Sequence, residues 1–144
     1  MNKINMGRVI LGGLVAGLVI NIGEFILNMP ILGSQWTEAL RALNRPPLDA
    51  QPPTFFIILG FALGILAVWV YAAIRPRFGA GPLTAISAGL VVWTLSILYP
   101  MAGMLPMNLF PRSLIVYATI WEFFEIPLAA LAGAWLYRER AQPD

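Results

Sequence analysis

The chain has no cysteine and no histidine among its 144 residues. The first absence removes disulfides, a thiol nucleophile and thiolate metal sites. The second removes the commonest general base and the commonest transition-metal ligand. Charge is also scarce. Only 11% of residues are Asp, Glu, Lys or Arg, against about 25% in an ordinary soluble domain. Nine basic and seven acidic residues leave a net charge of +2. That is not the clustered basic face of a nucleic-acid binder, so no nucleic-acid partner is expected.

Hydrophobic residues are abundant instead, at 59%. A membrane helix needs about 20 mostly apolar residues, and four segments supply them. They run from about Gly7 to Met29, Thr54 to Ile74, Pro82 to Leu105 and Ser113 to Tyr137. No small-residue cleavage site of the A-x-A kind follows the first, and its apolar character resumes after Asn21. It therefore reads as a retained helix and not as a signal peptide. Between the first two spans, "SQWTEALRALNR" places Trp36, Ala39, Leu40 and Leu43 at helical spacing. This predicts a short amphipathic helix over about residues 34–45, either at the membrane surface or packed on the bundle. The expected fold is all-α: one integral membrane domain over residues 1–144, a four-helix bundle with an interfacial helix. The lipid bilayer is its first partner.

Basic residues set the expected orientation. Lys3, Arg8, Arg75, Arg77, Arg138 and Arg140 fall on the side of the termini, and Arg41, Arg45 and Arg112 on the other. The excess places both termini in the cytoplasm. Tyr71, Trp135 and Tyr137 then lie near the inner interface, where amphipathic rings are at home.

Small residues form stripes along each span at about 100° per residue. Gly13, Gly17, Asn21, Glu24 and Asn28 fall within an arc of about 80° on the first helix. Gly60, Gly64, Ala67 and Tyr71 mark the second, and Ala85, Gly89, Trp93, Ser96 and Gly103 the third. The fourth carries Ala118, Glu122, Glu125, Ala129, Ala132 and Gly133. Such stripes let helix backbones approach closely, with polar side chains bonding between them. Gly13, Gly17, Gly60, Gly64, Gly89 and Gly133 are thus expected at helix contacts.

Three acids sit inside the apolar spans. Glu24 is 16 residues from Arg8, and Glu122 is 16 from Arg138. At 1.5 Å per residue both lie about 24 Å from their end of the bundle. Asn21 and Glu125 match at about 20 Å. The first and last spans run antiparallel, so Asn21, Glu24 and Asn28 are expected to face Glu122 and Glu125, with Ser96 joining from the third span. An apolar interior without Lys or Arg does not hold three negative charges, so at least one acid should carry a proton, bonded to another carboxylate or to an amide. Pro127 removes a helical N–H and disturbs the bond to the Phe123 carbonyl, adding a spare acceptor nearby.

Intramembrane acids are functional-site candidates. They suggest binding or translocation of a proton, a cation or a small lipophilic solute. The alternatives are interhelical glue in an accessory or assembly subunit, a homo-oligomer contact, or a lipid-modifying enzyme. "WEFFE" has the carboxylate spacing of di-iron bundles, but the histidines are missing. There is no nucleophile elbow or P-loop. No metal, cofactor or catalytic residue is expected, and the chain reads as a non-enzyme. Small multidrug exporters share the plan of four helices and an intramembrane Glu, but their characteristic motifs are not present.

"GGLVAGLVINIGEFILN", "YAAIRPRFG" and "LAGAWLYRE" together resemble a group of small four-helix bacterial inner-membrane proteins known only as hypothetical proteins. The resemblance implies a multi-pass protein of the bacterial inner membrane. It implies no activity and no site residues.

Overall fold

The computed structural model describes residues 4–47 and 53–139. Lys3 and Arg140, used above for orientation, lie outside the described residues, as does most of the proline-rich return between Arg45 and Pro53. The described residues contain helices and no strand. Four helical runs are long and apolar enough to cross a membrane: Met6–Ile31, Pro53–Phe78, Pro82–Met107 and Arg112–Leu136.

The first run opens with α1, Met6–Ile26. Asn5 caps it, its Oδ1 accepting from the Arg8 amide at 3.4 Å, which satisfies one of the free amides of a helix start. The run closes in a wider π-helical turn, Leu27–Ile31. Pro30 has no N–H to give to the Ile26 carbonyl, and the ladder relaxes to the longer Leu32 N–H to Leu27 carbonyl bond of 2.8 Å. The short helix α2 follows at Gly33–Ala42. It stops three residues before the predicted end. Asn44 adopts a left-handed φ of 52°, and the Arg45 amide bonds back to Leu40 at 2.9 Å while Asn44 bonds to Arg41 at 3.0 Å. That paired arrangement closes a helix and reverses the chain.

The second run is α3, Pro53–Phe78. It outlasts the apolar segment because Arg75 and Arg77 end hydrophobicity, not backbone bonding. Gly79 and Gly81, at φ of 84° and 149°, then turn the chain through angles that residues with a Cβ avoid. The third run is interrupted. Helix α4, Pro82–Trp93, passes into a π-helical stretch at Thr94–Leu98 and then α5, Tyr99–Met104. Pro100 has no N–H for the Ser96 carbonyl, and the Tyr99 amide reaches back to Thr94 instead. Asn108, left-handed at φ 51°, ends a last tight turn. Helix α6, Arg112–Leu136, completes the bundle, and Tyr137 is already extended.

The spans close a ring. Helix α1 contacts α3 and α6, α4 contacts α3 and α6, and α3 also touches α6 across the centre. The ring is tight because glycines allow it. A methyl at Gly13 would stand 2.5 Å from Ile65 Cα, one at Gly17 2.7 Å from Phe61 Cα, and one at Gly64 2.5 Å from the Gly13 carbonyl oxygen. Gly12 and Gly133 meet in the same way between α1 and α6, and Gly89 lies on the backbone of Pro127. Gly103 is different: nothing lies within 4 Å of its missing Cβ. It is exposed and contributes no helix contact. The π-helical stretch adds a residue to one turn, which rotates everything beyond Thr94 off the stripe drawn from α4.

The core holds Val9, Ala16, Ile20, Val68, Ala88, Ile126 and Ala129, all essentially inaccessible. A second, smaller core at the other end joins Leu27, Leu32 and Ala39 to Leu114 and Ala118, with Trp36, Phe110 and Trp121 against it. This core holds α2 on the bundle. The outward surface is apolar, with Leu83, Tyr99, Phe124 and Trp135 among its most exposed side chains.

Candidate functional site

The acids of α1 and α6 meet. Glu122 and Glu125 are buried at 7% and 6% exposure, and the Glu24 and Glu122 carboxyl groups lie close to each other. Glu125 lies within electrostatic reach of both. Helix geometry explains the pairing: Glu122 and Glu125 are one turn apart on one face of α6.

Glu24 and Glu125 are each held by a hydrogen bond. Asn28, one turn beyond Glu24, donates to its Oε2 at 2.6 Å and to its backbone carbonyl at 3.0 Å. The Trp36 indole N–H of α2 donates to Asn28 Oδ1 at 2.8 Å. Trp36 stacks edge-on against Phe110, with ring centroids 5.4 Å apart. A chain of bonds thus runs from Trp36 of α2 through Asn28 to Glu24. On α6, the Trp121 indole donates to Glu125 Oε2 at 2.5 Å. The other oxygen, Glu125 Oε1, is buried and without a hydrogen-bond partner.

Gly23 makes the room. A Cβ there would coincide with the Glu125 carboxyl group, so the acid lies flat on bare α1 backbone. Gly23, Trp36 and Trp121 escape a reading of small and polar stripes. Gly23 lies outside the arc that holds Glu24, and tryptophan counts as apolar although its N–H is a donor.

Two predicted members stand elsewhere. Asn21 donates to the Gly17 carbonyl at 2.8 Å and to Ile57 of α3 at 3.3 Å, and it fills the space above Gly60. It clasps α1 to α3 and is not part of the acid cluster, because the arc spans two interfaces. Ser96 is half-buried in the π-helical stretch, and no hydrogen bond joins it to the acids among the described residues. From the third span the contact with α6 comes instead from Trp93, whose indole donates to the Thr119 carbonyl at 3.1 Å and whose ring meets Phe123 at 5.1 Å.

The opposite end carries a second polar group. Arg75 lies 3.3 Å from Glu139 and 5.5 Å from the centre of the Tyr137 ring. Tyr137 stacks edge-on with Tyr71 at 5.9 Å, and its hydroxyl accepts from the Asn5 amide at 3.4 Å. This cluster ties the end of α3 to both terminal helices.

Chemically, the acid cluster offers two neighbouring carboxyl groups, Glu24 and Glu122, and one buried carboxyl oxygen without a hydrogen-bond partner. Two ionised carboxylates are both acceptors, so a hydrogen bond between Glu24 and Glu122 exists only with a proton on one of them. Among the described residues the acids are not disposed as a group that could hold a metal ion. No protein family, curated protein or solved structure matches the chain.

Proposed function

We propose that this is a small, non-enzymatic, multi-pass protein of the bacterial inner membrane, with both termini cytoplasmic. Its Glu24–Glu122–Glu125 cluster exchanges a proton against a small lipophilic cation. The observation that carries the reading is the unpartnered, buried Oε1 of Glu125 beside the Glu24–Glu122 pair. An acceptor without a partner in such a place is costly, and a proton or a cationic ligand would satisfy it. Acids inside a span are expensive to keep and mark ion or substrate sites by default.

Protein in nanodiscs, titrated with tetraphenylphosphonium, tests this by calorimetry and a pH-indicator dye. Binding should release protons, Glu125→Gln should abolish the release, and Glu24→Gln or Glu122→Gln should reduce it. Absence of binding, or binding equal in all three variants with no proton release, would overturn the reading.

A non-catalytic subunit of a larger membrane complex is the second reading. It is favoured by a groove of about 370 Å³ lined by Tyr71, Ala85, Leu131 and Trp135, the last of these 85% exposed. Stoichiometric co-purification of a partner from native membrane, lost on Trp135→Ala, would decide for it.

A further inference from the structure

A groove of about 540 Å³ opens between α2 and the stretch that leads into α6. Gln35, Glu38 and Ala42 form one wall, and Leu109, Phe110 and Arg112 the other. Its size is that of a small-molecule site. Glu38 and Arg112 carry opposite charges and line the same groove, yet they do not pair. Among the described residues the one ion pair is Arg75 with Glu139, and neither Glu38 nor Arg112 makes a side-chain hydrogen bond. Each is exposed. Leu109, Phe110 and Pro111 supply an apolar margin between them.

We infer that this groove seats the headgroup of a zwitterionic phospholipid, its ammonium against Glu38 and its phosphate against Arg112. The charges supply the complementarity. A headgroup with one cation and one anion satisfies both side chains together, whereas a purely anionic lipid would leave Glu38 facing a like charge. Arg112 presents several N–H donors in a fork suited to phosphate oxygens. It also opens α6, whose start has no side-chain cap and carries the positive end of the helix dipole. The site lies at an end of the four apolar runs, the level at which headgroups sit when those runs cross a bilayer. The inference rests on the membrane reading but not on the role of the acids.

The test is native mass spectrometry of the full chain released from nanodiscs of mixed phosphatidylethanolamine and phosphatidylglycerol. The parent should retain phosphatidylethanolamine preferentially. Exposed ion pairs are weak, so Glu38→Gln or Arg112→Gln should each lower that retention about two- to fivefold. Glu24→Gln and Glu125→Gln should leave it unchanged, which separates this site from the acid cluster. Melting curves equal to the parent's establish that the surface variants fold. Equal retention of both lipids, loss on Arg112→Gln alone with phosphatidylglycerol preferred, or displacement by soluble phosphoethanolamine with no lipid retained would each overturn the inference.

Discussion

Gly23 of α1 and Glu125 of α6 share one volume: the glycine has no Cβ, and the carboxyl group lies where that atom would be. The acid cannot keep its seat, or its bond to Trp121, once a side chain is added. Gly23→Ala should therefore destabilise the protein by about 1–3 kcal/mol, the usual cost of overfilling a packed interior. Thermal unfolding in detergent measures it. Adding Glu125→Ala should recover part of the loss, because the clash is removed, and additive losses in that double-mutant cycle would show that the two residues do not compete for space.

Two glycines make a matched comparison on the spans. Gly64 faces the backbone of Gly13 and Gly17, which cannot swing aside as a side chain tip can, whereas Gly103 faces nothing within 4 Å. Gly64→Ala should lower the melting temperature clearly. Gly103→Ala should leave the stability unchanged or raise it by up to about 1 kcal/mol, since alanine restricts the unfolded chain. The same melting assay reads both.

Much of this arrangement is readable in the chain before folding. Long apolar runs with few charges mark the four helices, because so apolar a stretch of that length has few alternatives. Counting from Arg8 and Arg138 sets Glu24 and Glu122 at one level, since helical rise is constant. Rotation is harder to read than height. Asn21 and Glu24 share an arc, yet Asn21 turns to α3 and Glu24 to α6, because one arc can border two neighbours. Ser96 falls off its stripe because a π-helical turn inserts a residue. The indole donors were hidden by their apolar rings.

The α2 contact should be measurable at Trp36. Its indole N–H is the link to Asn28 Oδ1, so Trp36→Phe keeps most of the ring and deletes the donor. The expected loss is about 0.5–1.5 kcal/mol, one hydrogen bond. Asn28→Leu should cost more, because it also strips the amide donor from Glu24. Hydrogen exchange should show faster opening of α2 in both variants, and unchanged protection there would contradict the contact.

At the opposite end, Arg75 has two partners, Glu139 at 3.3 Å and the Tyr137 ring at 5.5 Å. The ion pair is partly exposed, so Glu139→Gln should cost under about 1 kcal/mol. Arg75→Ala also removes the cation over the ring, worth about 0.5–1 kcal/mol at such a site, and should cost more. Equal effects in thermal unfolding would mean that the ring contact contributes nothing.

Asn21 and Glu24, three residues apart, engage different neighbours, and this keys the azimuth of α1. Like a shaft held by two pins, the helix cannot spin about its own axis without withdrawing from both partners at once. The opposing helix α6 is keyed less rigidly along its own length, since Pro127 within it leaves one rung of the backbone ladder unmade.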